Sequence, residues 1–384
     1  MTWEAVQLGD LIELQRGYDL PEPQRRPGDV PVCGSAGVNG FHDTARAPGP
    51  GVTIGRSGAS IGVITYMHRP YWPHNTVLFV KDFRGNDPRF IAALLRQIRL
   101  SDLNSGSAQP SLNRNFLYPL PVRRPSLETQ HRIAGILSAY DDLIEVNTRR
   151  IAILEEMARR IFDEWFVHLR TRPSRVSSAS RKAAAQIIEF DPTTKVSKEG
   201  EKPFIPMTAL SPNTMVVDHV EMRPGNSGAK FRAGDTLLAR ITPCLENGKT
   251  AYVGCLGDGE TGFGSTEFIV MRGLTVSPEW VYLLARSEQF RAHAIKSMSG
   301  ATGRQRVRRE SLEAFPIAEP DAATMGRFTE NVRPIFGEVH VLARSNGNLR
   351  RTRDLLLPKL ISGEIDLSGV EREVEDGADR AAAE

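Results

Sequence analysis

The stretch LETQHRIAGILSAYDDLIEVNTRRIAILEEMARRIFDEWF, residues 127–166, decides the fold. Its apolar residues recur in steps of four and three from Ile133 to Trp165, and no glycine or proline follows Gly135. A 3.5-residue repeat kept over this length predicts a helix with a coiled-coil seam, not an ordinary surface helix. At 1.5 Å per residue, a helix of about 38 residues is roughly 57 Å long.

A second segment near the end of the chain repeats this pattern. It runs from Phe328 to Leu360 with the same stepping, and its string NLRR (348–351) matches NTRR (147–150) of the first. Pro334 interrupts the pattern, so we expect this helix to be kinked or to begin later. The equal placement of the two segments favours pairing with each other, and ordinary bundle packing is the alternative.

Each predicted helix follows a globular segment, and the two globular segments are similar. VTIGRSGASIGVITY (52–66) and LLARITPCLENGKTAYV (237–253) each predict a strand that ends in an arginine, a polar loop and a second strand. NTVLFV (75–80) and STEFIV (265–270) come next, and each precedes a helix that a proline opens. The chain therefore contains two copies of one domain.

The predicted fold class is α+β, with two similar α/β domains separated by a pair of long helices that form an antiparallel coiled coil. At 384 residues the chain is too long for one ordinary core. A Ser-rich stretch with four basic residues and no acidic one predicts a linker. The predicted boundaries are a first domain over 1–125, a central helix over 126–170, a linker over 171–185, a second domain over 186–320, a C-terminal helix over 321–367 and an acidic, disordered tail over 368–384.

Composition excludes several classes of protein. With 40% hydrophobic residues, 25% charged residues and no apolar run of about 18 residues, we expect a soluble protein without a membrane partner. The start lacks a signal-peptide pattern, and three scattered cysteines suit neither a disulfide framework nor a zinc site, so we expect a cytoplasmic protein. The tail from Glu371 carries a charge of −4, which leaves +7 on the rest, and a basic body suits a polyanionic partner.

The string PCLENGKT (243–250) ends as a phosphate-binding P-loop ends, but it fails the rest of that pattern. A P-loop needs a glycine five residues before Gly248, where this chain has Pro243, which offers no N–H group. It should also open a helix, whereas residues 250–253 predict a strand. The histidines show no metal-ligand spacing, so no motif supports catalysis.

Two similar domains on a stiff spacer suit two DNA half-sites, since half-sites on one face of a duplex lie about 34 Å apart. GRQRVRRES (303–311) places arginines at alternate positions, which share one face if the segment is a strand. Arginine and glutamine suit phosphates and base edges, and a solvated basic loop is the alternative. The candidate DNA-binding residues are Arg56, Ser57, Gln109, Asn113, Arg114, Asn115, Arg240, Thr242, Glu246, Asn247, Lys249, Arg304, Gln305, Arg306 and Arg308.

The chain resembles the specificity subunits of type I restriction–modification systems. Residues 127–166 look like the central spacer of that family, and RRTRDLLLPKLISGEIDL (350–367) looks like its C-terminal spacer. LARITPCLENGK and GSTEF are typical of its target-recognition domains. The resemblance covers nearly all of the chain, although the Ser-rich linker is unusual and residues 186–220 match no family pattern.

The resemblance implies a subunit without an active site that reads an asymmetric, bipartite site in double-stranded DNA, one domain for each half-site. The helices would set the gap and dock two adenine-N6 methyltransferase subunits, and the complex can recruit two restriction translocase subunits. S-adenosylmethionine, ATP and Mg²⁺ would belong to those partners, so this chain is expected to bind no cofactor and no metal. Phe162, Phe166 and Leu355 are candidates for the methyltransferase contact, with burial in the helix pair as the alternative.

Two other functions stay open on the residues alone. The chain could be an enzyme that uses the GKT string, and ATP binding that is lost in Lys249→Ala would favour that reading. It could also be a coiled-coil assembly protein, and a DNA affinity that does not change with salt would favour that reading.

Overall fold

A computed structural model describes residues 3–103, 111–167, 181–301, 303–365 and 367. The chain divides into two compact units. Unit 1 is Met1–Ile144 with Asn348–Glu384, and unit 2 is Glu145–Gly347. Each unit therefore contains one globular domain and a part of each long helix. In the described ranges, no helix combines the length and the apolar character that crossing a bilayer requires.

The first domain lies in unit 1 and is built around short, buried strands. Its central strand GVTIG is buried at every position, as a Val/Ile-containing strand in the middle of a sheet should be. The strands and helices up to the first long helix are β1 (Glu4–Gln7), α1 (Leu8–Leu11), β2 (Glu13–Arg16), β3 (Val30–Gly34), β4 (Gly37–His42), β5 (Gly51–Gly55), β6 (Ile64–Met67), β7 (Trp72–Pro73), β8 (Val77–Asp82), α2 (Pro88–Gln97), α3 (Arg114–Leu117), β9 (Pro121–Arg124) and α4 (Leu127–Phe162), which continues as a π-helical turn (Asp163–Val167).

The second domain lies in unit 2 and ends at the second long helix. Its elements are β10 (Arg181–Ala183), β11 (Ile188–Phe190), β12 (Glu201–Ile205), β13 (Glu221–Pro224), β14 (Ala229–Arg232), β15 (Thr236–Ala239), β16 (Thr250–Tyr252), β17 (Thr261–Gly264), β18 (Phe268–Gly273), α5 (Pro278–Arg286), α6 (Glu288–Lys296), β19 (Met298–Ser299), β20 (Arg306–Val307), α7 (Arg309–Glu313), β21 (Pro316–Ala318) and α8 (Ala322–Ser362).

The two domains share one topology, which confirms the predicted duplication. The strand order β2-β8-β5-β6 of the first recurs as β11-β18-β15-β16 in the second. The order β4-β3-β7 recurs as β13-β12-β17 with β14 added, and β3–β7 and β12–β17 are both parallel pairs. The pair β1–β9 closes the first domain as β10–β21 closes the second.

The helices opened by proline also agree with the prediction. At the start of α2, the Asp87 carboxylate accepts hydrogen bonds from the backbone N–H groups of Arg89 and Phe90, both at 2.8 Å. At the start of α5, the Ser277 hydroxyl accepts from Trp280 N at 3.3 Å. Both caps satisfy N–H groups that the first turn leaves without partners, and proline in the first turn has none to lose.

The long helices α4 and α8 pair antiparallel, as predicted. In unit 2, Asn147 Nδ2 donates to Asn346 Oδ1 at 3.0 Å. Further along α4, Arg150 Nη2 lies 2.9 Å from Glu338 Oε1 of α8. As the residue numbers rise along α4, those of the partners on α8 fall, so the two helices run in opposite directions. Both asparagines occupy predicted seam positions and are buried. A buried polar pair of this kind fixes the register of a coiled coil.

In unit 1 the same seam carries an ion pair, since Arg353 Nη1 of α8 lies 2.6 Å from Asp141 Oδ1 of α4. Of the two expectations for Pro334, the later start is wrong, because α8 begins at Ala322 and includes Pro334, while the kink stays a prediction. Proline lacks one N–H group, and the tertiary contacts of the seam override that local cost.

The predicted linker also differs at its end. Residues 181–183 form β10, and Ala184–Gln186 form a 3₁₀ turn that continues into the domain. All three β10 residues are exposed, so their sequence lacks the apolar alternation that marks a strand. Residues 171–180 of the linker, and the tail from 368 on, lie outside the described residues. The other predicted boundaries stay predictions.

Candidate nucleic-acid interface

Arg56, which was predicted to end a strand, directly follows β5 of the first domain. Backbone hydrogen bonds to two neighbouring segments hold it in place, and this set of bonds is called the frame. Arg56 N donates to Thr76 O at 3.0 Å, and Arg56 O accepts from Leu112 N at 2.9 Å. Ser57 forms an isolated antiparallel bridge with Ser111. This frame brings the segment that begins at Ser111 beside the end of β5.

The second domain repeats the frame bond for bond. Arg240 N donates to Glu267 O at 2.9 Å, and Arg240 O accepts from Val307 N at 2.9 Å. Ile241 forms the isolated bridge with Arg306. Arg240 therefore corresponds to Arg56, and Arg306 corresponds to Ser111 of the first domain.

In both frames the arginine has an unsatisfied donor. The Nε atoms of Arg56 and Arg240 are buried, and neither has a hydrogen-bond partner within the described parts of the chain. A buried N–H group without a partner is costly, and an anionic or carbonyl ligand would relieve that cost. The prediction that these two arginines are equivalent is confirmed by the bonds around them.

Beside Arg56, the first domain has a cleft of about 680 Å³. Arg16, Arg56 and Arg114 line it together with one acid, Asp19. Burial, with repulsion from Arg16, lowers the pKa of Arg56. Like charges that crowd each other in this way favour an anionic ligand, because its charge removes the repulsion. The cleft suits a phosphate of a nucleic-acid backbone.

Other predicted residues of the first domain have structural partners. The Asn113 side chain accepts from Asn115 N at 3.0 Å and so caps α3. Arg114 Nη1 donates to Leu14 O at 3.0 Å, although the residue is exposed. Asn115 is exposed. Gln109 lies outside the described residues.

The string PCLENGKT forms a tight turn that leads into β16, so a strand follows it as predicted. Glu246 and Asn247 are exposed at its tip. Lys249 was predicted to be a DNA-facing residue at the tip of the loop. Its Nζ instead donates to Met207 O at 3.1 Å within the same domain. At the other end, Thr242 N donates to Gln305 O at 3.0 Å, which ties the turn to the Arg-rich segment.

Two arginines that the sequence analysis missed support this turn from behind. Arg286 Nη1 on α5 donates to Gly248 O at 2.7 Å and to Pro212 O at 2.8 Å. Arg291 Nη2 on α6 donates to Glu246 O at 3.2 Å. These partners lie between 38 and 74 residues apart in sequence, and no local pattern signals such bonds.

The neighbouring loop, Ser211–Val217, is fixed to the helix α4 by a buried acid. Glu155 accepts from Met215 N at 2.9 Å and from Thr214 Oγ1 at 2.5 Å. Burial raises the pKa of Glu155, and the two hydrogen bonds oppose that rise. Through Pro212 and Arg286, the turn is connected to α4 inside unit 2.

The prediction of one arginine-bearing strand face is wrong. Within residues 303–311, β20 contains only Arg306 and Val307, while Arg304 lies in a turn and Arg308 precedes α7. A strand of two residues cannot align three arginines on one face. Arg304 and Arg308 are exposed, and Gln305 is half-buried.

Arg306 has an acidic partner. Its Nε lies 2.9 Å from Glu267 Oε2, and its Nη2 lies 2.7 Å from Glu267 Oε1. This bidentate contact raises the pKa of Arg306 and lowers the pKa of Glu267. Glu267 lies in the string GSTEF, but no sequence pattern predicted a role for it at the site.

The predicted partner-docking residues separate into two groups. Phe162 is buried, and Phe166 is half-buried against Phe328 of α8 and Trp280 of α5, with ring centroids 4.9 and 5.9 Å apart, so the burial alternative holds for Phe162 and in part for Phe166. Leu355 is 69% exposed. Among the residues that the structure describes, no group of three His, Cys, Asp or Glu could hold a metal ion.

Comparison with known proteins finds one matching domain model and several relatives. Residues 1–156 match the model of the type I restriction modification DNA specificity domain. The type I restriction enzyme EcoAI specificity subunit of Escherichia coli is 33% identical over 142 residues, which cover 35% of this chain and 24% of that protein. The HindI specificity subunit of Haemophilus influenzae is 23% identical over 331 residues, which cover 67% and 71%.

The fold has a solved counterpart over its whole length. The crystal structure of the type I restriction–modification system S subunit from M. genitalium has a TM-score of 0.63 and 14% identity, and the match covers 96% of this chain and 97% of that one. At this identity, the likeness supports the fold alone. The chain spans about a quarter of the length of EcoAI, the first of these relatives. Residues 1–156 thus match the specificity-domain model, and the chain is similar to type I restriction–modification specificity subunits.

Proposed function

We propose that this chain is the non-catalytic DNA specificity subunit of a type I restriction–modification enzyme. Each domain would read one half of an asymmetric, bipartite site in double-stranded DNA. The observation that carries this proposal is the repeated frame around Arg56 and Arg240, which presents different side chains at equal positions. Two domains that share one topology but carry different side chains at these positions suit two different half-sites.

The charges near the frame support contact with a polyanion. Arg16, Arg56 and Arg114 line one cleft in the first domain. In the second, Arg304 and Arg308 are exposed beside the turn that holds Glu246 and Asn247. Phosphate contacts position a protein on DNA, and contacts to base edges give specificity. We assign the arginines of the cleft to phosphates.

We further propose that the helix pair sets the gap between half-sites and docks two adenine-N6 methyltransferase subunits, with two restriction translocase subunits joining the complex. The support is an apolar row on α4 that points away from the seam: Val146, Ile153 and Met157 are 50%, 61% and 47% exposed. An exposed apolar row on a helix that already buries another face favours a protein contact.

The chemistry would be supplied by those partners. S-adenosylmethionine, ATP and Mg²⁺ would be bound by the methyltransferase and restriction subunits, and this chain would bind none of them. The complex would act in the cytoplasm.

The decisive experiment exchanges one domain. Residues 1–125 are replaced by the corresponding domain of another family member, and adenine methylation is mapped on DNA treated with the complete complex. One half of the methylated sequence should change and the other half should stay. The matched control exchanges residues 186–320 and should change the opposite half. A motif that changes in both halves, or in neither, would refute the assignment of one half-site to each domain.

A second experiment tests the gap. An insertion of one helical turn into α4 and one into α8 at paired positions adds about 5.4 Å, which is between one and two base pairs. The gap between the methylated half-sites should lengthen by that amount while both half-sites keep their sequence. A gap of unchanged length would contradict the role of the helices.

A further inference from the structure

The contact between Arg306 and Glu267 uses only one edge of the guanidinium group. Nε and Nη2 bind the two carboxylate oxygens at 2.9 and 2.7 Å. The opposite edge, formed by Nη1 and the second N–H group of Nη2, has no hydrogen-bond acceptor in the described segments. The Arg306 side chain is 44% exposed, while that of Glu267 is 25% exposed. The arginine is thus fixed on its inner side and accessible on its outer side.

The position of this pair in the fold is defined by backbone bonds. Arg306 is bridged to Ile241, one residue after Arg240, and Gln305 O accepts from Thr242 N at 3.0 Å. Glu267 O accepts from Arg240 N in the same frame. The backbone of both partners is therefore anchored at the end of β15, so the fork does not depend on a mobile loop tip.

A fixed guanidinium edge has a specific match among the bases. Guanine presents the acceptors N7 and O6 side by side in the major groove, and arginine binds them with two parallel N–H groups. Adenine has N7 but replaces O6 with a donor, so it repels one arm of the same fork. A side chain that is already held in place loses less conformational freedom on binding.

We propose that Arg306 reads a guanine in the half-site of the second domain, and that Glu267 is the positioning residue that aims it. This rests on the proposed function as a DNA specificity subunit. Both oxygens of Glu267 accept hydrogen bonds from Arg306, so the carboxylate acts through the arginine and does not itself read a base. In the first domain Ser111 takes the place of Arg306, and Thr76 takes the place of Glu267. The requirement for guanine at this position therefore belongs to the second half-site alone.

The test begins with the full-length chain and its methyltransferase partners, incubated with a library of duplexes that contain a randomised stretch. The enriched sequences define the two half-sites. Each guanine of the second half-site is then replaced singly by 7-deazaguanine, which pairs normally but lacks N7. Inosine at the same positions is the control, because it keeps N7 and O6 and lacks only the minor-groove amino group.

One 7-deazaguanine position should weaken binding roughly 5- to 10-fold, about half of the discrimination of a bidentate contact. Arg306→Met keeps most of the side-chain volume but has no N–H donor, so its binding should no longer respond to that replacement. Glu267→Gln keeps the shape and removes the charge that fixes the arginine, so its response to 7-deazaguanine should fall to about 3-fold or less.

Arg309→Met is the matched control. Arg309 lies in the same segment, is 45% exposed and pairs with Glu313, but it faces along α7 and outside the frame. This variant should keep the full response to 7-deazaguanine. Circular dichroism of every variant checks that the fold is retained.

The outcomes separate the two proposals. If the wild type enriches a bipartite sequence but no guanine of the second half responds, or if Arg306→Met keeps the response, the guanine assignment is wrong and the specificity subunit stands. If Glu267→Gln keeps the full response, the positioning role of Glu267 is wrong. If no bipartite sequence is enriched, the proposed function itself fails.

Discussion

The two units pack a domain of the same strand order against a long helix, but they fill that contact with different chemistry. In unit 2, Phe336 of α8 lies 5.0 Å from the ring of Tyr252 and 5.7 Å from that of Tyr282. In unit 1, Tyr66 takes the place of Tyr252, and Arg89 lies 5.6 Å above its ring. A cavity of about 280 Å³, lined by both charged and apolar side chains, remains between that domain and α4.

The difference shows which properties a duplicated domain must keep. The strand order and the frame at the ends of β5 and β15 depend on backbone hydrogen bonds, which most side chains permit. The packing against the helix depends on the shape of individual side chains, so it differs between the copies. Close aromatic packing fixes a domain by shape, whereas a polar, partly filled contact depends more on salt and hydration.

The largest expected effect tests the aromatic contact. Phe336→Ala removes a buried ring and should destabilise unit 2 by about 3–5 kcal/mol. Leu137→Ala, at the edge of the cavity in unit 1, should cost only about 2 kcal/mol, because fewer packed neighbours are lost there. Hydrogen exchange resolved by segment measures each unit separately, which matters because two units need not unfold together. Equal losses of protection in the two units would contradict the expected difference between their contacts with the helix.

The next effect is a pH dependence confined to unit 2. His340 is stacked on Tyr252, and burial, helped by Arg344, lowers its pKa to about 4. The folded state therefore binds fewer protons than the unfolded state between pH 6.5 and 4, so stability falls as the pH falls through that window. From pH 7 to 5 unit 2 should lose about 2 kcal/mol from this group.

His340→Phe keeps the ring and removes the titration. The variant should lack this loss in unit 2, while the pH dependence of unit 1 stays that of the wild type. Denaturant melts at pH 7 and 5, followed by hydrogen exchange, give the difference. If the stability of the variant changed between pH 7 and 5 as much as that of the wild type, the pH dependence would belong to other groups.

The seam offers a smaller and more local test. Asn147→Leu leaves Asn346 buried opposite an apolar side chain, and it should cost about 1–2 kcal/mol, the lower part of the usual range, because Asn346 Nδ2 also donates to Thr148 Oγ1. The double variant with Asn346→Leu should recover that loss, since an apolar pair suits a seam. Melting curves of the single and double variants measure the coupling. A double variant that is less stable than Asn147→Leu would show that an apolar pair does not suit this position of the seam.

The sequence was informative where its pattern is local. The 3.5-residue repeat placed Asn147 and Asn346 in the seam before any contact was known, and proline marked the starts of α2 and α5. Arg56 and Arg240 were found because a strand, an arginine and a polar loop follow each other in both copies. Each of these signals lies within a few residues of chain.

The features that were missed depend on distant partners or on very short elements. Glu267 and Arg306 are 39 residues apart, and Glu155 meets Met215 from 60 residues away. The strand β10 has no buried residue to create an alternating pattern. The arginines of GRQRVRRES divide between a turn, a two-residue strand and a helix start, and periodicity cannot resolve elements of that length.

The smallest effect returns to the charges that distinguish the two domains. Arg16 lines the cleft of the first domain, where it repels Arg56, whereas the charge of Arg306 in the second domain is balanced by Glu267. If Arg16 contacts a phosphate, Arg16→Gln should reduce the slope of log affinity against log salt by about 1. Glu267→Gln should act in the opposite direction and steepen the slope, because it releases the charge of Arg306 to the DNA. Arg149→Gln, an exposed arginine paired with Glu145 on α4, is the control and should leave the slope unchanged. Equal slopes in all three variants would show that the charge contrast between the domains has no role in DNA binding.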